Sequence, residues 1–222
     1  MNGPNSRQPI TRLAEEAARE EKFDFLEKSN FFAPEAPTML GNEAIWTRVT
    51  RGEPTLALLS STKAPAGVLL AVHDLARRWR TRGPMIISGF HAPVENEALS
   101  VLLQGTQPMV LVLARGLYKR PPAHLRPALE EGRLLILSPF KEEVRRASTV
   151  TAAVRNRLVA ALADEALIAH AEPGSKTETL ALDLIATGKP VYTIDHPTNA
   201  HLLAQGARTY TRATMNESIR SS

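Results

Sequence analysis

The sequence predicts a Rossmann-like α/β fold, in which a mostly parallel sheet is flanked by helices and preceded by a helical N-terminal extension. Three observations predict this class. Short apolar runs alternate with segments of helical periodicity along most of the 222 residues. Small polar residues follow several of these runs, which is typical of buried parallel strands that end in ligand-side loops. Hydrophobic residues make up 43% of the chain and charged residues 23%, which is ordinary for a globular protein.

The N-terminal part, residues 1–53, is predicted to be a leader and a helical extension. Residues 11–28 are rich in Ala, Glu, Lys and Leu, which favour a helix. Two prolines within residues 30–37 indicate a linker. Residues 40–51 predict a short helix that carries Trp46. The extension is therefore expected to precede the main domain rather than to form part of it.

The main domain is expected to span residues 54–210, with a flexible tail at 211–222. Six apolar runs of four to six residues predict its strands, at residues 55–60, 85–88, 108–113, 134–138, 165–169 and 190–194. A helical segment follows each strand, at residues 66–82, 94–103, 123–131, 148–161, 177–187 and 199–205. Because strands and helices alternate at this spacing, the sheet is expected to be mostly parallel and covered on both faces.

The composition excludes several kinds of chemistry. Without any cysteine, the chain has no disulfide, thiolate nucleophile, iron–sulfur ligand or Cys-type zinc site. No apolar run approaches the roughly 20 residues of a membrane helix, and residues 1–8 lack the apolar stretch of a signal peptide. We therefore expect a cytoplasmic protein that has no contact with membranes. A net charge of +4 and a pI of about 9.6 slightly favour an anionic partner.

In open parallel sheets, ligands bind outside the carboxyl ends of the strands. The loops expected to carry the site are those that follow the predicted strands, at residues 60–66, 88–97, 114–122, 138–148, 170–176 and 195–199.

Several sequence motifs occur in a recognisable order along residues 54–208. They are Ile86-Ile-Ser-Gly-Phe-His, Val110-Leu-Val-Leu-Ala-Arg-Gly-Leu, Gly132-Arg-Leu-Leu-Ile-Leu-Ser, Arg155-Asn156-Arg157 and Gly188-Lys-Pro-Val-Tyr. In this order they resemble the motifs of the DprA/Smf DNA-processing family, and Arg-Asn-Arg is the most specific of them.

The resemblance implies a Rossmann-like core, often dimeric, that binds single-stranded DNA and helps to load a recombinase. It therefore implies a non-catalytic protein without a cofactor, which forms a homodimer and acts in DNA processing, recombination or mobile-element defence. Relatives within the wider superfamily are nucleotide sensors and phosphoribohydrolases, so a nucleotide is the alternative ligand.

This chain departs from the family pattern at three turns. Ser60-Ser61-Thr62-Lys63 stands where the family usually has Gly-Ser-Arg, and residues 89–95 replace its Gly-Leu-Ala-x-Gly-Ile-Asp. Asp195-His196-Pro197 stands in place of a Pro-Gly. These departures leave open a changed ligand or a role that depends on a protein partner.

The candidate binding residues are cations and small residues on the strand-end loops and the helix starts that follow them. Arg side chains hold phosphate with several donors, Lys meets it as a point charge, and Gly lets an anion approach the backbone. The full set is Lys63, Ser88, Gly89, Phe90, Arg115, Lys119, Arg155, Asn156, Arg157, Gly174, Ser175 and Lys176. Solvated charges and tight turns would explain much of this binding set equally well. We predict no catalytic residue and no metal ligand.

Four further features leave alternatives open. His91, His170 and His196 fall on site-side loops and could form a metal or acid–base cluster, although they lack the usual spacing of metal ligands. The same loops carry the carboxylates of Glu95, Glu172 and Asp195. Tyr118 or Phe90 could stack on a base, and Phe90 could equally be core. The loop at residues 173–176 partly resembles the Pro-Gly-Gly loop of phosphoribohydrolases. The predicted helix at 11–28 favours a third hypothesis, in which the protein is an antitoxin-like or defence-associated interaction module.

Overall fold

A nine-stranded sheet runs through the part of the chain that the computed structural model describes, which is residues 37–211 and the strand Gln8–Pro9. The predicted helix at 11–28 and the tail beyond residue 211 lie outside the described residues. Within the described ranges, no helix is both long and apolar enough to cross a membrane.

The strands in chain order are β1 Gln8–Pro9, β2 Thr38–Gly41, β3 Thr55–Ser60, β4 Met85–Ser88, β5 Met109–Val112, β6 Leu134–Ser138, β7 Glu165–His170, β8 Val191–Thr193 and β9 Arg208–Thr209. Their order across the sheet is β1-β2-β6-β5-β4-β3-β7-β8-β9. Strands β3 to β9 are parallel, whereas β2 pairs antiparallel with β6 and β1 antiparallel with β2. The predicted fold class is confirmed, and all six predicted strands are present.

The helices are α1 Glu43–Thr50, α2 Ala66–Trp79, α3 Pro93–Leu102, α4 Arg126–Glu130, α5 Thr149–Leu162, α6 Lys176–Ala186 and α7 Ala200–Ala204. The predicted helix at 123–131 is divided into a 3₁₀ turn, Ala123–Leu125, and α4, and Pro127 lies in the first turn of α4. Proline fits there because the first-turn amides of a helix have no partner within it.

Two apolar layers hold the helices on the sheet. Helices α2, α3 and α4 cover one face, with Trp79 fully buried beneath them, and α1, α5, α6 and α7 cover the other, with Trp46 fully buried. All six residues of β3 are buried, as expected for a central parallel strand with both faces covered. The core therefore fixes the strand ends on which the site is built.

The sheet begins before the predicted boundary at residue 54. Strand β2 pairs with β6 from Thr38↔Ser138 to Gly41↔Leu135, and the Asn42 side chain donates to the Gly132 carbonyl at 2.7 Å. Leu40, which was predicted to open the short helix, lies in β2, and that helix starts at Glu43. Because β2 and α1 bury Met39, Leu40 and Trp46 on the sheet, the structure places them within the main domain.

The chain order creates a switch point beside β3. From β3 the chain builds outward through β4 and β5 to β6, then α5 returns it to β7 on the opposite side of β3. The loops after β3 and β7 therefore leave the sheet in diverging directions, and a crevice opens between them. This crevice is where the topology predicts a ligand.

Candidate functional site

Two clefts meet at the switch point, on the edge of the sheet formed by the carboxyl ends of the strands. The first has a volume of about 730 Å³ and lies among the loops after β4 and β5 and the start of α5. The second, of about 430 Å³, lies among the loops after β3 and β7. Both are lined by Thr62, His91, Ala152 and Arg155. Since the clefts share these residues, they form one continuous depression with Arg155 at the junction.

Arg155 is a charged side chain that is only 5% exposed. Its Nε donates to the Asn156 Oδ1 at 2.6 Å, and its two terminal nitrogens have no hydrogen-bond acceptor among the described residues. Burial lowers the pKa of the guanidinium, and the nearby Glu95 carboxylate partly offsets this effect. A cation that has lost most of its water and still has free donors is suited to bind an anion between the two clefts.

Gly89 makes room for this guanidinium. A Cβ atom at position 89 would overlap the Nη1 and Cζ atoms of Arg155, so only glycine allows the arginine to pack against the backbone there. The turn of which Gly89 is part is stabilised by Ser88, whose hydroxyl accepts from the Phe90 amide at 3.0 Å. Ser88 is fully buried and Phe90 is 4% exposed within the core, so Gly89 is the member of this predicted trio that meets Arg155.

Glu95 ties the loops after β3 and β4 together. One carboxylate oxygen accepts from the Ser60 amide and the other from the His91 amide, each at 2.9 Å. Burial raises the pKa of Glu95, although the Arg155 charge and the amide donors act in the opposite direction. The sequence placed Glu95 only among the loop carboxylates. Its place at the end of the segment that replaces the family's Gly-Ile-Asp was the signal for a structural role.

The first cleft combines a cation, an aromatic ring and an apolar wall. The Arg115 guanidinium lies 4.8 Å from the centroid of the Tyr118 ring, within range of a cation–π interaction. Leu99, Leu111, Leu113 and Leu125 line the same cleft. Lys119, further along the Arg115 loop, is exposed and lines neither cleft.

The second cleft takes its polar side chains from the loops after β3 and β7. Lys63 and Ser175 both line it, as predicted residues that the fold brings together with Arg155 and Asn156. Ser175 caps α6 by accepting from the Glu178 amide at 3.1 Å, and its hydroxyl lies 3.4 Å from that of Ser61. Gly174 precedes this cap in an exposed, left-handed conformation (φ 75°).

Arg157 and Lys176 lie elsewhere. They line a separate groove of about 230 Å³ between α5 and α6, together with Asn156 and Asp183. Two residues along a helix correspond to a rotation of about 200°, so Arg155 and Arg157 point to different sides of α5. The two arginines of the Arg-Asn-Arg motif therefore serve different surfaces.

The three histidines do not form a metal site. His170 is 4% exposed, and its Nδ1 lies 2.9 Å from the Asn199 Oδ1, which gives it a structural role. His91 is exposed in both clefts, and the Nδ1 of His196 lies 2.9 Å from the Thr198 hydroxyl. Within residues 37–211, no group of three or more histidines, aspartates or glutamates is close enough to hold a metal ion.

Comparison with known proteins adds the family. The sequence profile of the DNA recombination-mediator protein A family matches residues 34–219. No curated protein sequence matches the chain.

Three solved structures share the fold. DNA processing protein A from Helicobacter pylori, described as binding single-stranded DNA, superposes with a TM-score of 0.72 at 21% identity, over 90% of this chain and 93% of that one. DNA processing protein A from Streptococcus pneumoniae gives 0.67 at 18% identity, over 85% of this chain and 66% of that one. The Moco carrier protein from Chlamydomonas reinhardtii gives 0.51 at 13% identity, over 77% and 99%.

Proposed function

The chain belongs to the DNA recombination-mediator protein A family, and from this premise we propose that it binds single-stranded DNA in the two clefts at the carboxyl edge of its sheet. It does so without catalysis, in DNA processing and recombination or in defence against mobile elements. The relative from Helicobacter pylori, which shares the fold and is described as binding single-stranded DNA, supports the proposal.

The observation that carries the proposal is the state of Arg155. A guanidinium that is 95% buried normally has carboxylates or carbonyls around it, because an uncompensated buried charge is costly. In the described residues Arg155 has one acceptor, Asn156, and no carboxylate oxygen within 4 Å. The Glu95 carboxylate compensates the charge only in part. A phosphate at the junction of the clefts would accept hydrogen bonds from the remaining donors and add to that compensation.

The flanking residues suit the rest of a strand. Lys63 in the second cleft and Arg115 in the first place a cation on either side of Arg155. The Tyr118 ring and the leucine wall of the first cleft offer a base an apolar surface on which to stack, which single-strand binders use without sequence preference. Cations that follow the backbone together with a sparse stacking surface favour binding of any sequence.

Fluorescence anisotropy with labelled oligo-dT at low salt tests this proposal. We expect saturable binding that weakens with salt, and an Arg155→Ala variant that binds at least about 30-fold more weakly, since losing one partner of a buried charged contact costs about 2 kcal/mol or more. Arg155→Lys should restore only part of the affinity. Arg208→Ala, an exposed cation outside both clefts, is the control. A flat titration of the wild type, or an Arg155→Ala affinity equal to that of the control, would reject the proposal.

A mononucleotide is the second candidate ligand, and the size of the first cleft favours it. Its volume of about 730 Å³ lies within the range of small-molecule sites. A sensor or phosphoribohydrolase would show a thermal shift with nucleoside monophosphates, and the enzyme would also release the base. Glu95 is fully occupied with two loop amides, so such an enzyme would need Glu172, which is exposed in the second cleft.

The resemblance also favours a homodimer and a protein partner, and we propose both on that basis. Light scattering of the full chain should give twice the mass of 24.3 kDa. A monomeric mass at micromolar concentration would reject the dimer while leaving DNA binding by a single chain intact.

A further inference from the structure

A second cationic surface lies at the opposite edge of the sheet from the clefts. It consists of the arginines around the end of α2, which we call the amino-edge patch: Arg77, Arg78, Arg80 and Arg82. Arg77, Arg78 and Arg82 are exposed. Helix α2 begins beside the second cleft and has 14 residues, so its end lies about 20 Å from its start. The patch is therefore separate from the proposed DNA site.

Among the described residues, most acidic side chains at this edge already have other partners. Glu53 and Glu131 form salt bridges with Arg48 and Arg133, and the Asp164 carboxylate accepts from the Thr55 amide and hydroxyl at 3.0 and 2.6 Å. Glu165, at the start of β7, accepts from the Tyr192 hydroxyl at 3.3 Å. Within the described residues, Asp74 on α2 and Glu130 on α4 form no salt bridge, and neither do the four arginines of the patch. The arginines thus outnumber the nearby free carboxylates.

Helix stability does not account for these residues. Cations in the last turn of a helix interact favourably with its dipole, and Arg77 and Arg78 occupy that turn of α2. Arg82, however, lies after the end of the helix at Trp79, beyond the reach of that effect. Arg77 and Arg78 also extend an exposed stripe of α2 that contains Leu70 and Asp74.

The backbone beneath the patch is held firmly. The Arg80 carbonyl accepts from the amides of Thr106 and Gln107 at 2.7 and 3.0 Å, and the Gln107 side chain donates to the Thr81 carbonyl at 3.2 Å. Gly105 approaches so closely that a Cβ atom there would overlap the Arg80 carbonyl oxygen. A fixed backbone places the arginines without a further loss of backbone freedom on binding, so the ordering cost is limited to their side chains.

We propose that the amino-edge patch binds the phosphate backbone of a second nucleic-acid segment, so that one chain holds two segments at opposite edges of its sheet. Arginine forks match phosphate oxygens. Protein interfaces have an apolar core. The large apolar side chains exposed in the described residues are Leu70 and Val150, and neither lies at the end of α2. The patch therefore suits a polyphosphate better than a protein.

The proposal is tested by stoichiometric titration of the full chain with labelled oligo-dT. The oligonucleotide is too short to reach from one surface to the other. We expect two oligonucleotides per chain. Arg77→Ala/Arg78→Ala should weaken the second binding event roughly tenfold and reduce the salt slope by about 1.4, while the first event is unchanged. Alanine preserves the helix.

Arg126→Ala/Arg208→Ala is the control. It removes the same charge from exposed positions outside the patch and both clefts, and should change neither event.

The remaining arms separate the outcomes. Arg155→Ala should remove the first binding event and leave the second. The titration therefore tests DNA binding in the clefts and DNA binding at the patch independently. A hairpin duplex added as a competitor shows whether the second segment is single- or double-stranded. One oligonucleotide per wild-type chain, or equal effects of the two double variants, would overturn the proposal. The proposal would also be overturned if Arg77→Ala/Arg78→Ala lost binding to polyglutamate but kept binding to DNA. The patch would then be a surface for an acidic protein.

Discussion

Arg155, Gly89 and Glu95 depend on one another. Gly89 leaves the space that the Arg155 guanidinium fills, and Glu95 holds the two loops beside it through the Ser60 and His91 amides. The charge of Glu95 also favours the charged form of Arg155. The residues that prepare the site are therefore different from the ones that would touch DNA.

Gly89→Ala should weaken DNA binding while the protein still folds. The added methyl group would displace the Arg155 guanidinium from its place at the junction of the clefts. We expect oligo-dT affinity close to that of Arg155→Ala, together with a cooperative thermal transition. Gly67→Ala is the matched control, because its Cβ atom meets only the His196 ring at 3.4 Å and alanine favours the helix. Wild-type affinity in Gly89→Ala would show that Arg155 need not occupy this position.

Glu95 should make stability depend on pH in a defined direction. Burial raises the pKa of Glu95 above its ordinary 4.5. Below pH 4.5 the carboxyl is protonated in the folded and unfolded states alike. As the pH rises through the raised pKa, the folded state must bury a charge, so this contribution to stability is lost.

The measurement is the free energy of unfolding of the wild type relative to Glu95→Gln. We expect the difference to shift against the wild type as the pH rises above 4.5, by at most about 1.4 kcal/mol per pH unit, because the variant has no proton to lose. Parallel pH curves for the two proteins would contradict the assigned cause.

At the level of single residues, the sequence selected several residues that line the clefts, but it did not show to which side of a helix each side chain points. Arg155 was selected near a predicted helix start, and Lys63 and Arg115 on strand-end loops. The fold brings all three to the joined clefts. Arg157 and Lys176 follow the same sequence rule but line another groove. A loop or a motif gives proximity along the chain, whereas the side of a helix that meets the sheet is decided by tertiary packing.

The elements of the domain show a similar division. Six strands followed from apolar runs, because residues buried on both faces of a sheet leave a clear signal. Strand β9 has two residues, and only the middle two of the four residues of β2 are buried, so neither strand leaves a clear apolar run. Strand β2 is also hard to separate from the helix in the sequence, because the helix begins only one residue after the strand ends. Leu40 is therefore predicted to belong to the helix.

Trp46→Ala tests whether β2 and α1 belong to the domain. Trp46 is fully buried in the apolar layer shared by α1, α5 and α6. We expect the free energy of unfolding to fall by about 3–5 kcal/mol, as for other buried large-to-small substitutions. Arg51→Ala, exposed at the end of α1, should stay within about 0.5 kcal/mol of the wild type. A small loss for Trp46→Ala in denaturant unfolding would mean that α1 is only loosely attached.

Across the whole molecule, the distribution of charge matters more than its sum. A net charge of +4 is a weak sign of an anionic partner, but the fold collects cations at both edges of the sheet. The carboxyl edge has the two clefts and a buried arginine, and the amino edge has an exposed patch. Composition could not reveal this division, because it depends on the path of the chain through the sheet.

The central claim is that single-stranded DNA occupies the clefts around Arg155. Ultraviolet cross-linking of oligo-dT to the full chain, with the adducts located by mass spectrometry, tests that claim most directly. We predict adducts on Tyr118 and on peptides that contain Gly89 and His91, which are lost in Arg155→Ala. Cross-linking that yields no adduct on any residue lining the two clefts would contradict it.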